Sequence, residues 1–584
     1  MRKANATNRV SRGAQFVERA RIADPSFTLD DVTAPHVASI CRQVDGIPLA
    51  LELAAARVRG MAIAEVAARL EERLDLLAKT SRGGDPRHRT MADTLDWSYG
   101  LLDRAEVRLF DRLSVFDGGW DLEAAEAVCG DGTLDVLVTL PVLAERSLVT
   151  MSRDDGSVRY RLLEPIRQYA AAHAAEHDEA SSLADSHARY FTELVERAEV
   201  AIRGPDQDAW EARLPRETPN LRRALAWSEE HQPELMGRIL AASWYATSFG
   251  AFGSVAEVRG WTGRAGALFD AMSVSTRVGV LAAAATCALV EGDLESCLDL
   301  TEEALDLDPS IVRPIAATAR GSALRDLGRL DEATRLHEAV GRTTSDPWWI
   351  ARSAYSIGLI ELARPNLAAA SERLAETLDR FTHLGDRSSL LDTTGCLAMV
   401  ALRSGRSEAA RSLIDQAVAP SDRGAVPYEL IQAVIDVRTA SGDIGGARGA
   451  VRRAFEVAWS SGQLHDLPPI IERLAGLEVL SGSSELAITL LGASDRQRGG
   501  HGRLDRVEND AGLYFVDAEA TRDAAVAALT AEQAETAWRR GSAINLDSVP
   551  ALIDEALGLG SRAQGQVSER SAPAPSEPSS PGTA

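Results

Sequence analysis

The sequence predicts a mainly α protein: successive helical units, a single β-hairpin, and a long array of helical hairpins. Three observations carry that prediction. Apolar residues recur at three- and four-residue spacing over most of the chain, two β-rich runs flank one Asp-Gly pair, and turn residues in the second half recur at nearly constant intervals. A length of 584 residues allows about four folding units at roughly 150 residues each. The 63 basic residues against 86 acidic ones leave a net charge of −23, which repels a phosphate backbone and argues against non-specific binding to nucleic acid or an anionic membrane. Only two of the basic residues are lysines, Lys3 and Lys79, so any lysine-dependent site must use one of them.

The first unit, residues 1–80, is helical. Val37, Ile40, Cys41 and Val44 share one helical face, and Leu49, Leu51 and Leu53 follow in a second run after the elbow Gly46-Ile47-Pro48. Proline suits that elbow because the first turn of a helix has no use for its missing N–H. Ser81-Arg82-Gly83-Gly84-Asp85-Pro86 then reads as a linker. Residues 88–175 hold three or four short helices and two β-rich runs, Ser147 to Met151 and Ser157 to Leu163, joined through Asp155-Gly156. Asp-Gly is a strong hairpin signal because glycine tolerates positive φ, and helices followed by a single hairpin describe a winged helix.

Residues 180–280 form a helical linker and the start of a helical array, and residues 281–557 hold repeats followed by closing helices, Ala531 to Leu557. Gly292, Gly328, Pro365, Gly405, Gly442 and Gly482 are separated by 36, 37, 40, 37 and 40 residues. Five positions after each stands a small residue: Cys297, Ala333, Ala370, Ala410, Ala447 and Ala487. A turn residue lets the chain reverse, and a small side chain lets the returning helix approach the first. This spacing resembles tetratricopeptide repeats, with Gly321 and Pro309 also at expected places, although the usual aromatic positions are mostly Ala, Leu or Val. The implied fold is a tetratricopeptide-like helical superhelix with a concave face suited to a protein partner. The segment 561–584 is rich in Ser, Pro and Ala, has no apolar face and is expected to be disordered.

Most chemistry-bearing motifs fail on context. A phosphate loop needs glycines ahead of a Lys-Ser/Thr pair so that backbone N–H groups can cradle phosphates. Lys79-Thr80 has Arg73 and Ala78 at the glycine positions, and Lys3 is followed by Ala4, so neither lysine serves. Gly558-Leu559-Gly560 opens a dinucleotide-like string with no strand before it, and is read as a helix end. His173-Ala174-Ala175-Glu176-His177 matches an inverted zinc-protease string, but on a solvated linker helix with no third ligand. The five scattered cysteines contain no C-x-x-C pair and support neither a disulfide framework nor a zinc ribbon. No metal site is expected. The candidate recognition helix, Thr133 to Arg146, brings only Arg146 to a DNA groove, and its apolar residues look made for packing. The wing adds Arg153, Arg159 and Arg161 against Asp154 and Asp155, so Arg146 and Arg159 are DNA-contact candidates for an alternative reading. Trp244, Tyr245, Phe249, Phe252 and Trp261, and the pair Trp348-Trp349, are read as core, with one of the pair available as an exposed partner anchor. With no run of about 18 apolar residues and no apolar leader, no membrane span is expected and the cytoplasm is the default compartment.

Several blocks stand in a fixed order: Gly46-Ile47-Pro48-Leu49-Ala50-Leu51-Glu52-Leu53, Leu95-Asp96-Trp97-Ser98-Tyr99, Leu113-Ser114-Val115-Phe116 before Gly118-Gly119, and Tyr160-Arg161-Leu162-Leu163-Glu164-Pro165. Together they resemble bacterial signal-transduction ATPases, the NB-ARC-like STAND regulators common in actinobacteria, often described as predicted ATPases or LuxR-type regulators. The likeness runs to about Leu557. It implies that residues 1–80 are the helical lid of the ATPase module and that Gly46 and Pro48 are residual contacts to adenine. It also implies that a Met-His-Asp diphosphate sensor aligns with Leu162, Leu163 and Glu164, where no imidazole is present. In the family the phosphate loop and metal-binding aspartates lie upstream of the Gly-x-Pro helix, and Met1 begins inside the lid. A Gly-rich Lys-Thr/Ser loop in frame upstream of Met1 would return the protein to the ATPase class.

These observations lead to a regulatory scaffold with no catalytic residues and no cofactor, meeting a protein partner on the repeats. One alternative is an ADP/ATP-binding switch completed by a phosphate loop from another polypeptide. Another is a DNA-binding transcription regulator acting through the winged helix.

Overall fold

A computed structural model describes residues 14–30, 32–43, 48–78, 95–154, 157–177, 179–244, 254–307, 314–418, 427–461, 464–498 and 518–559. The chain divides into two compact units. One comprises Met1–Val200, Ala209–Ser243 and Arg264–Arg277; the other comprises Ala201–Asp208, Trp244–Gly263 and Val278–Ala584.

In the first unit, helices Ala34–Gln43, Pro48–Ala56 and Ile63–Ala78 enclose a core of Phe16, Ile40, Leu51, Val66 and Leu70 that also takes in Trp97. The next helix, Arg104–Leu113, starts at a capping box in which Asp103 and Glu106 satisfy each other's backbone N–H groups. Leu122–Cys129 and Val136–Glu145 follow, each capped by an aspartate, Asp121 and Asp135. Strands β1 (Thr150–Asp154) and β2 (Ser157–Arg161) pair antiparallel, with Thr150 opposite Arg161 and Met151 opposite Tyr160. Helix Glu164–Ala174 completes this winged-helix arrangement.

The hairpin differs from the sequence expectation at both ends. Ser147 adopts a left-handed φ of 59°, and Leu148 and Val149 both donate to the Leu143 carbonyl, so Ser147 to Val149 close the preceding helix and the strand starts at Thr150. The second strand ends at Arg161 because Leu163 is already the N-cap of the next helix. Trp120 adds a bridge to Tyr160, exchanging both backbone hydrogen bonds at 2.8 Å. That bridge accounts for Gly119, and the approach of Pro219 accounts for Gly118. A side chain on Gly119 would meet the Tyr160 carbonyl at 2.6 Å, and one on Gly118 would meet Pro219 at 2.7 Å.

The second unit is the array. Each of the six turn residues has left-handed φ (82°, 72°, 29°, 73°, 78° and 81° in order), and the residue after each donates its N–H to the carbonyl five positions back at 2.8–2.9 Å. This is a helix-closing motif that satisfies an otherwise orphaned carbonyl. The small residue five positions after each turn is completely buried in all six hairpins. A second small-residue register runs along the first helices: Gly321, Gly358 and Gly395 stand 37 residues apart, and a Cβ on Gly321 would overlap the His337 ring while one on Gly358 would overlap Leu374. Among the described residues one helix, Val274–Glu291, is long and apolar enough to cross a membrane; 67% of it is buried.

Candidate functional site

Gly46 lies outside the described residues, as do Lys3, Lys79 and the 561–584 segment; Pro48 opens the helix Pro48–Ala56. Leu162 is buried, and Glu164 is engaged by Arg167 and Gln168 one turn on, with the Arg167 hydrogen bonds first in drawing its carboxyl down to about 2. Among the described residues, the blocks around Trp97, Phe116 and Tyr160 that carry the family resemblance make packing contacts. Trp97 is buried under the Arg57 guanidinium at 5.9 Å, the Asp96 carboxylate accepts the Tyr169 hydroxyl, and Phe116 stacks on Trp120 at 5.1 Å.

Both candidate DNA-contact arginines are tied into the protein. Arg146 donates to the Leu101 carbonyl at 3.1 Å and to the buried Glu106 carboxylate at 3.0 Å. Burial, and after it the Arg146 charge, bring the neighbouring Arg57 down to about 10. Arg159 donates to Glu217 at 2.6 Å and to the carbonyls of Gly119 and Arg216, and the Glu217 side chain is only 3% exposed. The helix at the recognition position, Val136–Glu145, carries no basic residue, and it presents Leu137 (57% exposed) and Val138 (63%) outward while Leu140 and Leu143 face the core. Packing therefore takes only part of its apolar surface. On the wing, Arg153 and Arg161 are exposed, Arg161 donating to the Thr150 hydroxyl at 3.2 Å.

The His173–His177 string is split by the helix end. Helix Glu164–Ala174 stops before Glu176, so the string does not lie on one continuous α-helix. His173 stacks on Tyr99 with ring centroids 4.4 Å apart, and His177 stands 3.9 Å from the Asp111 carboxylate. Asp111 accepts the Tyr99 hydroxyl at 2.9 Å, while its other oxygen is buried with no hydrogen-bond partner. Burial raises its carboxyl to about 6, against the opposing pull of Tyr99, His173 and His177. Nothing in the composition of Asp111 distinguishes it from other helical aspartates; only the fold brings it to two histidines and a tyrosine.

In the array Trp244 stacks on Trp349 at 5.3 Å, and Trp348 and Trp349 meet edge to face at 4.7 Å. Both members of the pair are buried, which corrects the expectation of an exposed anchor. Tyr245, Phe249 and Phe252 lie outside the described residues. Gly558 is a left-handed helix terminator whose successor, Leu559, donates to the Asp554 carbonyl, the same closing motif as in the repeats. A cavity of about 350 Å³ opens beside Ile435, Thr439, Leu480 and Thr521, with the paired Arg473 and Asp436 on its wall.

The winged helix-turn-helix domain family matches residues 102–175. The chain carries a winged helix-turn-helix domain. "Putative HTH-type transcriptional regulator Rv0890c" of Mycobacterium tuberculosis is 34% identical over 400 residues, which cover 64% of this chain and 44% of that protein. "Uncharacterized protein Rv0894" of the same organism is 37% identical over 193 residues, 32% of this chain and 48% of its own. The chain thus spans less than half the length of these curated relatives. Among solved structures, a Pyrococcus horikoshii signal transduction ATPase with numerous domains and a tetratricopeptide repeat sensor, PH0952, aligns over 82% of this chain and 71% of its own, with 14% identity and a TM-score of 0.39. The APC/C hetero-tetramer Cut9-Hcn1 aligns over 88% and 87% with 12% identity and a TM-score of 0.36. Those scores are too low to establish a shared fold, and the architecture above rests on this chain's own geometry.

Proposed function

We propose that this chain is a regulatory protein-interaction scaffold, related to STAND signalling proteins, that does not hydrolyse nucleotide by itself. The observation that supports this reading most is the condition of the winged helix. Its Arg146 and Arg159 hold internal carboxylates, and the outward face of Val136–Glu145 offers Leu137 and Val138 where a major-groove reader needs hydrogen-bonding side chains. Apolar side chains on a helix suit a protein surface. The helical array supplies a second, larger one.

Two measurements on the purified chain test the proposal. Titration of a mixed genomic DNA duplex at physiological salt, read by anisotropy, is expected to show no retention, and equilibrium dialysis with ATP and magnesium is expected to show no binding. Tight nucleotide binding or turnover that survives repurification overturns the non-catalytic part. A second reading, a DNA-binding transcription regulator, is favoured by the winged helix-turn-helix match and by the printed name of the first relative. It would act through Arg153 and Arg161, and sequence-specific retention abolished by replacing both would establish it in place of the scaffold.

A further inference from the structure

A short segment of the chain is seated on the repeat array in the manner of a bound peptide. It is Arg203-Gly204-Pro205-Asp206-Gln207-Asp208, the corner between helices Ala180–Ala201 and Gln207–His231. Arg203, 9% exposed, lays its guanidinium over the rings of Trp348 (5.1 Å) and Trp349 (5.6 Å) and stands 3.6 Å from the Asp346 carboxylate. The cage is braced from behind by the Trp348 indole N–H, which donates to Asp386 at 2.7 Å, and by Trp244 stacked on Trp349. Pro205 lies over Gly385, whose left-handed φ of 73° exposes bare backbone; a Cβ there would come within 3.2 Å of the proline ring. The Gln207 side-chain oxygen accepts the Ser388 backbone N–H at 2.9 Å, a donor left free at the start of helix Arg387–Arg403. Asp208 pairs with Arg387 at 3.1 Å.

Four side chains of one short segment thus meet four different complements: an aromatic cage with a carboxylate, a bare glycine, a helix-start N–H and an arginine. A planar guanidinium over indole faces is among the stronger cation–π arrangements, and proline arrives with its backbone already restricted. We infer that this face of the array is a recognition site for an extended arginine-glycine-proline peptide, that residues 203–208 occupy it as an internal ligand, and that a partner protein presenting the same chemistry displaces them. The inference rests on the scaffold reading for its biological sense, whereas the contacts stand without it.

The test uses the full chain and the synthetic peptide acetyl-Arg-Gly-Pro-Asp-Gln-Asp-amide carrying a fluorophore. In the wild type the internal segment competes at an effective concentration in the millimolar range, so removing it should strengthen peptide binding by about tenfold or more. The expected result is that Arg203→Ala with Gln207→Ala binds the peptide at least that much more tightly than wild type, and that replacing the peptide's arginine by alanine abolishes the gain. Equal binding by both proteins, or a gain indifferent to the arginine, overturns the inference. Should the double variant lose its helical circular dichroism, hydrogen exchange on the wild type decides. Saturating peptide that speeds exchange at Gly204 to Asp208 supports displacement, and exchange unchanged by the peptide overturns it. Failure of peptide capture leaves the scaffold proposal to the DNA and nucleotide measurements.

Discussion

Two charged residues show how far the environment resets a side chain. Arg159 neutralises Glu217 in a nearly closed site, so Arg159→Ala leaves a buried carboxylate alone and should cost about 3–5 kcal/mol in denaturant unfolding of the first unit. Asp111 works the other way. Its carboxyl is raised from 3.8 to about 6, so the native state holds a proton between those values that the unfolded chain has released. Stability from this group is complete below pH 3.8 and is lost as pH rises through 6. At about 1.4 kcal/mol per unit the full difference is on the order of 2–3 kcal/mol. The groups facing it, Tyr99, His173, His177 and Glu176, stay in place in Asp111→Asn, which should therefore flatten the fall in stability between pH 4 and 6 and be the more stable protein at pH 7. Urea unfolding at a series of pH values checks this.

At the scale of the helical hairpin, stability is set at the turn and at the closest approach of the two helices. Pro365 holds the turn position that the other five repeats give to glycine, with φ at 29° where a pyrrolidine ring prefers about −65°. Pro365→Gly should relieve that strain by about 1–3 kcal/mol, partly offset by the greater freedom of glycine in the unfolded chain, and raise the melting temperature. Gly321→Ala should act oppositely. Its new methyl falls within 2.3–3.0 Å of the His337 ring, and forcing apart a packed helix pair costs about 1–3 kcal/mol, read as a lowered urea midpoint. The turn and the small residue five positions on were legible in the sequence because both are local requirements. The register through Gly358 and Gly395 was not, because its reason is a neighbour some sixteen or more residues away.

For the whole molecule, among the described residues each unit has a histidine that burial holds uncharged, His187 in the first and His337 in the second. His187 and His337 are both brought down to about 3, by burial first; Asn220 opposes the shift at His187, and Arg325 and Arg352 add to it at His337. The unfolded chain takes up those protons near pH 6.5, so stability is intact above that value and falls as pH drops toward 3, by about 1.4 kcal/mol per unit for each histidine. Acid unfolding should therefore begin in both units, and His337→Leu should remove the slope belonging to the array alone, observed through Trp348 and Trp349 emission. Because a repeat array is stabilised mainly between neighbours, a loss at His337 is felt first in the adjoining hairpins.

By itself the amino-acid order determined the helical class, the single hairpin and the six turns of the array, since periodicity, Asp-Gly and turn-plus-small spacing act over one or two turns of backbone. The scarcity of lysine likewise confined any lysine-dependent phosphate site to two positions, Lys3 and Lys79. Only the tertiary structure decided what the charged and aromatic residues do. Arg146 and Arg159 became internal struts, Trp348 and Trp349 became a cage, and Arg203 came to fill it, because a guanidinium takes its role from the carboxylate or ring that folding brings to it, and those partners lie 40 to 146 residues away along the chain.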